Sequence, residues 1–549
     1  VPSAAQCGRM VQFADPQGSV SDRRPAPENR LRSITMTEAH DIDVLVAGAG
    51  PTGSTVAADL LRRGLRVRVV NKAPHAFEGS RAKGIQPRTQ EVLEDFGVLD
   101  EAHAEGGPYP LAGLHLGPVT VPWKMQQRNK PTSDVPYPNI LLLPQHRTDA
   151  ILHRLLQRLG LTVEYGVALE GFEQDADGVT VTLSTGERVR SKYLVGADGG
   201  ASAVREATGL GFVGETDDSD KTLIIDCSID GLSRDRWHMW PRASAGACPL
   251  PHSEQFQVMI RLKSGDTPNL DHAALAEQFH TLTGLKLRDI TWVSVFRPNV
   301  RLVEHYRQGR VFLAGDAAHV HTPAGAQGLN TGVQDAYNLG WKLGQVIAGA
   351  PDSLLDSYEA ERLPIAAGVL GKSSELYQSL SKHRVAGLKR GDEERQLGLT
   401  YHGGPLAPAD APATKTLHVG DRAPDAPCTA PGTSRLFDVF QGPHFTLLAF
   451  GPKATAALPN LTWPTEGAEL RRYAVRAGRG IDSGYLTDAT GQLTDIYGVD
   501  GDALILIRPD GYIGSVITTD WVASFADSAK AFTLDAGTGT GRHRNPQIM

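Results

Sequence analysis

The chain has 549 residues, 40% of them apolar and 21% charged, with a formal net charge of −7 and an isoelectric point near 6.2. This length calls for two or three domains with ample core. The composition is that of an ordinary globular protein, and the lack of a basic excess to neutralise phosphates argues against a nucleic-acid binder. Cys7, Cys227, Cys248 and Cys428 stand far apart, with no CxxC spacing. Neither a zinc site nor a disulfide framework is therefore expected, and a reducing cytoplasm fits best. No apolar run of about 18 residues predicts a membrane span.

Residues 1–39 are mostly without periodicity and rich in Pro, Arg and polar residues. They read as a disordered leader or tag. Residues 42–47 (IDVLVA) then form a β-type apolar run, followed by GAGPTG, a helical stretch to Arg63, a stop at Gly64 and a second strand, LRVRVVN. This is a βαβ unit. Gly48, Gly50 and Gly53, with Pro51 and Thr52 between the last two, make GxGxxG at the strand-to-helix turn. The first glycine allows the tight turn, the second lets backbone approach a pyrophosphate, and the third lets helix and strand pack closely. The helix N-terminus offers unpaired N–H groups and a positive dipole end to the phosphates. Where the second strand ends, an acid normally holds the ribose; here Asn71 and Lys72 stand instead. Asn71 can hydrogen-bond a hydroxyl, though without charge assistance.

Further along, 161–183 reads as strands leading into a buried strand. YLVGADGGASAVREATG (193–209) repeats the strand-to-helix grammar, with Asp198 and Gly199 at the turn and Ser202 and Arg205 opening the helix. Residues 221–262 alternate as in an antiparallel sheet. Within them, Trp237, His238, Met239 and Trp240 are candidates to line a flat aromatic pocket, with core packing as the competing reading. His238 is the one candidate base. GRVFLAGDAAHVHTPAGAQGLNTGVQDAYNLGWKL (309–343) again runs from strand through a Gly-rich loop into a helix, predicted over 327–347. His319 and His321 lack an acidic or cysteine partner at ligand spacing, so no metal is assigned. More helix follows in 350–400 and a Pro-rich linker at 403–427. Strands at HFTLLAF and ALILIRPDGYIGSV precede a closing helix, and 537–549 is a frayed tail.

The order GxGxxG, DG segment, then GDAAHxxxPxGxQGxNxGxQDAxNLxWKL resembles the FAD-dependent aromatic hydroxylases of the para-hydroxybenzoate hydroxylase type. SRAKGIQPRTQEVL (80–93) and YEAERLP (358–364) extend the likeness. The C-terminal part is similar to the thioredoxin-like extension of the phenol and polyketide hydroxylase branch. The resemblance implies an α/β fold: a Rossmann-like FAD-binding domain (40–210 and 306–402), an inserted antiparallel-sheet substrate domain (211–305) and a thioredoxin-like α/β domain (403–536). Asp316 is expected on the FAD ribityl chain. Gly315 and the loop Pro323, Gly325, Ala326, Gln327, Gly328, Leu329 and Asn330 are expected around the flavin ring. Arg81 and Gln145 should reach the ribityl–phosphate region, and Asp198 and Gly199 the pyrophosphates. Ala326 stands where the family often has Gly.

The implied activity is monooxygenation. NAD(P)H, NADPH by preference, reduces FAD, dioxygen gives a flavin hydroperoxide, and a phenolic, polyketide-like ring is hydroxylated. Baeyer–Villiger oxygenation and a non-catalytic FAD-binding role are the alternatives. The expected partners are a small aromatic substrate and O2, with neither nucleic acid nor membrane. The choice between monomer and homodimer stays open.

Overall fold

The first strand, Ile42–Ala47, lies in the middle of an eight-stranded sheet, paired in parallel with Val67–Asn71 on one side and Arg188–Gly196 on the other. Val44, Leu45 and Val46 are fully buried, as a parallel strand covered on both faces requires. Each such side chain contributes about 1.5–3 kcal/mol relative to exposure. Val311–Leu313 continues the sheet beyond Arg188–Gly196, and Leu169–Gln174 and Val179–Leu183 form an antiparallel meander at its side. The computed structural model describes residues 42–533 apart from 126, 218, 323–325, 382–392 and 479–483, with backbone only at 375–381. All described residues fall within one compact unit. The expected leader and tail, and Pro323 and Gly325, lie outside the described residues.

The helices Pro51–Leu61 and Gly328–Ile347 pack against each other at backbone distance. A Cβ on Gly332 would strike Thr52 Oγ1, and one on Gly340 would strike the Asp59 carboxylate. Small residues on the second helix therefore set how closely the two helix starts approach.

A second, seven-stranded sheet runs in the order Leu287–Phe296, Thr222–Ile229, Gln255–Arg261, Ala245–Pro249, Arg236–Trp240, Leu111–Leu116, Val119–Trp123. It corrects the sequence reading in two ways. Its last two strands come from ahead of 211–305, and Arg236–Trp240 runs parallel to Leu111–Leu116, so the sheet is not purely antiparallel. A hairpin far earlier in the chain completes the sheet edge, and strands that are not consecutive need not alternate in direction. One face packs on the helix His272–Thr283 through Leu275 and Phe279.

The C-terminal region forms a mixed seven-stranded sheet centred on Leu470–Ala477, Phe445–Phe450 and Ala503–Ile507. It is joined to the helices Gly328–Ile347 and Ser353–Ser381 by a buried charge network. The Glu361 carboxylate accepts from Lys342 Nζ at 2.7 Å and from Arg508 Nη1 at 2.7 Å and Nη2 at 2.9 Å. All three side chains are fully buried. Among the described residues, no helix is long and apolar enough to cross a membrane.

Candidate functional site

Three strands of the first sheet, Ile42–Ala47, Arg188–Gly196 and Val311–Leu313, are neighbours and parallel, so the turns that follow them meet at one sheet edge. Backbone bonds lock them together: Ala197 N–H donates to Ala47 O at 2.8 Å, and Ala314 N–H to Gly196 O at 3.0 Å. The first turn shows three glycines with three different constraints. Gly48 has φ +104°, and a Cβ there would strike the Ala197 carbonyl and come within 2.8 Å of Asp198 Cα. A Cβ on Gly53 would collide with the Gly48 carbonyl. Gly50 has φ −73°, and a Cβ there would meet nothing within 4 Å. The first and third glycines are therefore demanded by the fold, and the second is not. The first intrahelical bond is Ser54 N–H to Gly50 O at 2.9 Å, so the N–H groups of Thr52 and Gly53 remain available at the helix start.

The third turn, Gly315–Ala317, is positioned by buried charges. Asp335 Oδ2 accepts from Gly315 N–H at 3.1 Å and pairs with His319 Nε2 at 2.7 Å, while Oδ1 accepts from Arg362 Nε at 2.7 Å. Burial alone would raise the Asp335 pKa, but Arg362 and His319 bring it below the usual carboxylate value. Arg205 joins the second turn to the third, donating to Gly200 O at 2.9 Å and Ala317 O at 3.0 Å. Within this frame Asp316 is exposed. His321 is anchored through Nδ1 to Thr322 O at 2.8 Å. Its Nε2 is buried without a partner and lies about where a Cβ on Gly328 would touch it, at 3.3 Å.

The start of the Gly328–Ile347 helix is clamped by Asn330. Its Nδ2 donates to Gly84 O at 2.8 Å and Ala326 O at 2.7 Å, and its Oδ1 accepts from Gln86 N–H at 2.8 Å. Ala326 takes φ +54°, a left-handed conformation that costs a non-glycine residue roughly 1–2 kcal/mol. The loop thus keeps the backbone shape a glycine would give, although the residue is alanine.

Strand alternation divides the four residues Trp237 to Trp240 between the two faces of the seven-stranded sheet. Trp237 and Met239 pack with Tyr109, Met125, Leu142 and Cys248. His238 and Trp240 point to the opposite face, where Trp240 meets Phe279. The expectation of one wall built from all four is corrected accordingly. His238 is also removed as a base on the pocket side: its ring bonds His115 at 2.9 Å and Ser233 O at 2.8 Å. Burial, the largest influence, lowers its pKa.

The face shared by Trp237 carries a polar chain that sequence reasoning missed. Asp226 accepts from Ser80 N–H at 2.7 Å and Ser80 Oγ at 2.5 Å, Gln257 Nε2 donates to Ser80 Oγ at 2.7 Å, and Lys83 Nζ donates to Gln257 Oε1. Lys83 also lies 4.4 Å from the Trp237 ring centre. Burial raises the Asp226 pKa and lowers that of Lys83. The signal in the sequence was an acid inside the apolar run LIIDCSI. The chain fastens the Arg81 loop to the sheet.

At one end of this sheet lies a cavity of about 1530 Å³, walled among others by Gly107, Pro108, Met125, Leu142, Pro249 and Arg395. Gly107–Pro108 pairs with Leu141–Leu142, which pairs with Gly84–Ile85, the strand Asn330 holds. On the other side Arg395 lies between Glu394 and Gln396, and both of these bond Gln327. Both walls thus trace to the 326–330 loop.

The family model described as an FAD binding domain matches residues 41–373. The chain belongs to the FAD-dependent aromatic hydroxylase family. It is 42% identical over 491 residues to a flavin-dependent monooxygenase of Mycobacteroides abscessus, covering 86% of this chain and 96% of that protein. It is 34% identical over 518 residues to 6-methylpretetramide 4-monooxygenase of Streptomyces rimosus, covering 87% and 91%. The crystal structure of aklavinone-11 hydroxylase in a ternary complex with FAD and aklavinone superposes with a TM-score of 0.73 at 27% identity, covering 90% of this chain and 99% of that one. The chain is an FAD-dependent monooxygenase with the mixed α/β fold of these hydroxylases.

The site of this hydroxylase fits FAD on its own geometry. Open space at Gly50 over a helix start suits a pyrophosphate. Exposed Asp316 suits a hydroxylated chain. The unpartnered Nε2 of His321, beside Gly328 at a second helix start, suits a polar ring edge. The side chains of several expected ligands are already engaged in braces. The Asp198 carboxylate caps the helix Ala203–Thr208 through Ala203 N–H at 2.7 Å and Ser202 Oγ at 2.5 Å. The Gln327 side chain is tied to Gln396 at 2.5 Å, and the Asn330 amide is taken up by the clamp. Thr52 fills the gap between Gly315 and Gly332. Lys72 Nζ reaches Ala201 O at 3.3 Å, and Asn71 ends the second strand beside Tyr165. Gln145 Oε1 accepts from Ala82 N–H at 3.5 Å, next to exposed Arg81. Gly199, with φ +84°, carries the second turn.

Proposed function

We propose that the chain uses NAD(P)H and dioxygen to hydroxylate a phenolic, polycyclic aromatic of the polyketide kind. The observation that carries this reading is the cavity of about 1530 Å³ whose walls connect, through Gly84–Ile85 and the residues beside Arg395, to the 326–330 loop, larger than the roughly 300–1,000 Å³ of most small-molecule sites. Met125 lines it and packs in one apolar cluster with Trp237, Met239 and Met259, and flexible methionines let such a wall adapt to fused rings. Relatives named for 6-methylpretetramide and anhydrotetracycline support the same class.

When bound, FAD supplies the activation of dioxygen. This chain would hold its pyrophosphate over Thr52 and Gly53, its ribityl chain at Asp316 and its ring against Gly328 and Leu329, where helix-start N–H groups stabilise negative charge. The Asn330 clamp fixes the start of the Gly328–Ile347 helix, and the Asp226–Ser80–Gln257–Lys83 chain fixes the Arg81 loop against the sheet. The C-terminal region reads as a thioredoxin-like unit without redox chemistry. Its Cys428 is a free thiol, pushed up to about 12 by burial above all, far from the thiolate a redox centre needs.

The test is to reconstitute the chain with FAD and follow NAD(P)H oxidation with and without a polycyclic phenol. The expected result is faster oxidation with substrate and a product heavier by one oxygen atom. NMR of the product separates ring hydroxylation from insertion beside a ketone. A yellow protein indifferent to every phenol and reductant would refute the enzyme reading.

A further inference from the structure

The cavity wall is electrostatically one-sided. Its charged lining is Lys124, Arg128, Arg234 and Arg395 against Asp235 and Glu254. Asp235 is already paired with Arg236 at 2.5 Å, which lies outside the lining. Arg234 is committed to the wall itself, donating to Leu250 O at 2.6 Å and Gln255 O at 3.2 Å, and Glu254 offsets its charge. Arg395 is likewise engaged within the protein, which leaves Lys124 and Arg128. Both are exposed to the cavity and neither pairs with an acid among the described residues; the Arg128 guanidinium only donates to Tyr109 O at 3.0 Å. Lys124 directly follows the strand Val119–Trp123, Arg128 lies four residues further on, and both face a cavity lined by polar and apolar residues alike.

We infer that the substrate is an aromatic carboxylate whose carboxyl group is held by Lys124 and Arg128 while its rings extend toward the 326–330 loop. A planar guanidinium and an ammonium lining one cavity both suit the oxygens of a carboxylate. A phenol, neutral near pH 7, would gain little from either. This deepens the proposed function and rests on the cavity being the substrate site.

The test uses FAD-loaded full-length protein and two probes of one shape, a dihydroxyanthraquinone carboxylate and its carboxamide. Calorimetry at low salt is expected to show the carboxylate binding about tenfold more tightly. The preference should shrink as salt screens the pair and vanish in the double variant Lys124→Gln, Arg128→Gln, with amide affinity unchanged. Equal affinities in the parent protein, or a preference that survives both substitutions, overturn the inference even if both probes accelerate NAD(P)H oxidation. If neither probe binds or accelerates oxidation, the reading of the cavity as the substrate site falls, and the inference with it.

Discussion

Substituting Gly50 by valine separates ligand binding from folding more cleanly than any other change in the first turn. Its φ of −73° is open to any residue, and a Cβ there meets no atom within 4 Å. Replacing glycine at a helix N-cap costs up to ~1 kcal/mol, and the reduced freedom of the unfolded chain returns roughly 0.4–1 kcal/mol. The FAD-free protein should therefore melt within ~2 °C of the parent. The valine methyls would occupy the place of the pyrophosphate, an overpacking cost of about 1–3 kcal/mol, equivalent to a rise in FAD Kd of roughly 5- to 150-fold. Gly53→Ala is the control: its Cβ collides with the Gly48 carbonyl, so melting of the FAD-free form itself should fall. Thermal melts of apoprotein and flavin titrations provide the two readouts. An unchanged FAD Kd in Gly50→Val would show that this turn does not hold the pyrophosphate. An apoprotein as unstable as the Gly53→Ala variant would show that Gly50 serves the fold instead.

Asp316→Ala should weaken FAD binding by about 1.5–3 kcal/mol if its hydrogen bond is charge-assisted, read as flavin Kd; no change removes Asp316 from the site. Glu361→Gln leaves Lys342 and Arg508 buried with half their compensation lost. Arg508 and Lys342 outweigh burial and hold Glu361 down at about 2, so urea unfolding should show a loss of roughly 3–5 kcal/mol, and a loss under ~1 kcal/mol would contradict the network. His444 is pushed down to about 4, mainly by burial. The unfolded chain therefore takes up its proton first, and stability present above pH ~6.5 should fall by up to ~3 kcal/mol as the pH drops through 4. His444→Gln should flatten that part of the pH profile, and identical slopes in the two proteins would rule His444 out.

The glycine turns were legible because their demands are local. Gly48 and Gly53 are forced by contacts within one βαβ turn, and Gly315 and Asp316 follow the same strand-to-helix grammar. The roles of side chains were less legible. Asp198, Gln327 and Asn330 were expected to serve the ligand, and their side chains also bond Ala203, Gln396 and Gly84. A polar residue in a turn gives no sign in sequence of whether its partner will be a ligand or another strand. Trp237 to Trp240 looked like one aromatic wall because adjacency in sequence resembles adjacency in space. In a strand it means opposite faces, and the period of two placed His238 away from the cavity.

What the sequence determined by itself was the set of corners: glycines where backbone must turn or be approached, apolar runs where strands are buried on both faces, and their order along the chain. Those constraints act over a few residues, so they are written in contiguous text. What only the tertiary structure decided was which edges complete which sheets and which charges meet. The hairpin Leu111–Trp123 closes a sheet built from residues more than a hundred positions later, and Ser80 meets Asp226, as Glu361 meets Arg508, across similar distances along the chain. Pairings of that kind are selected by packing the whole chain at once, because a buried charge or an open sheet edge is stable only beside its partner.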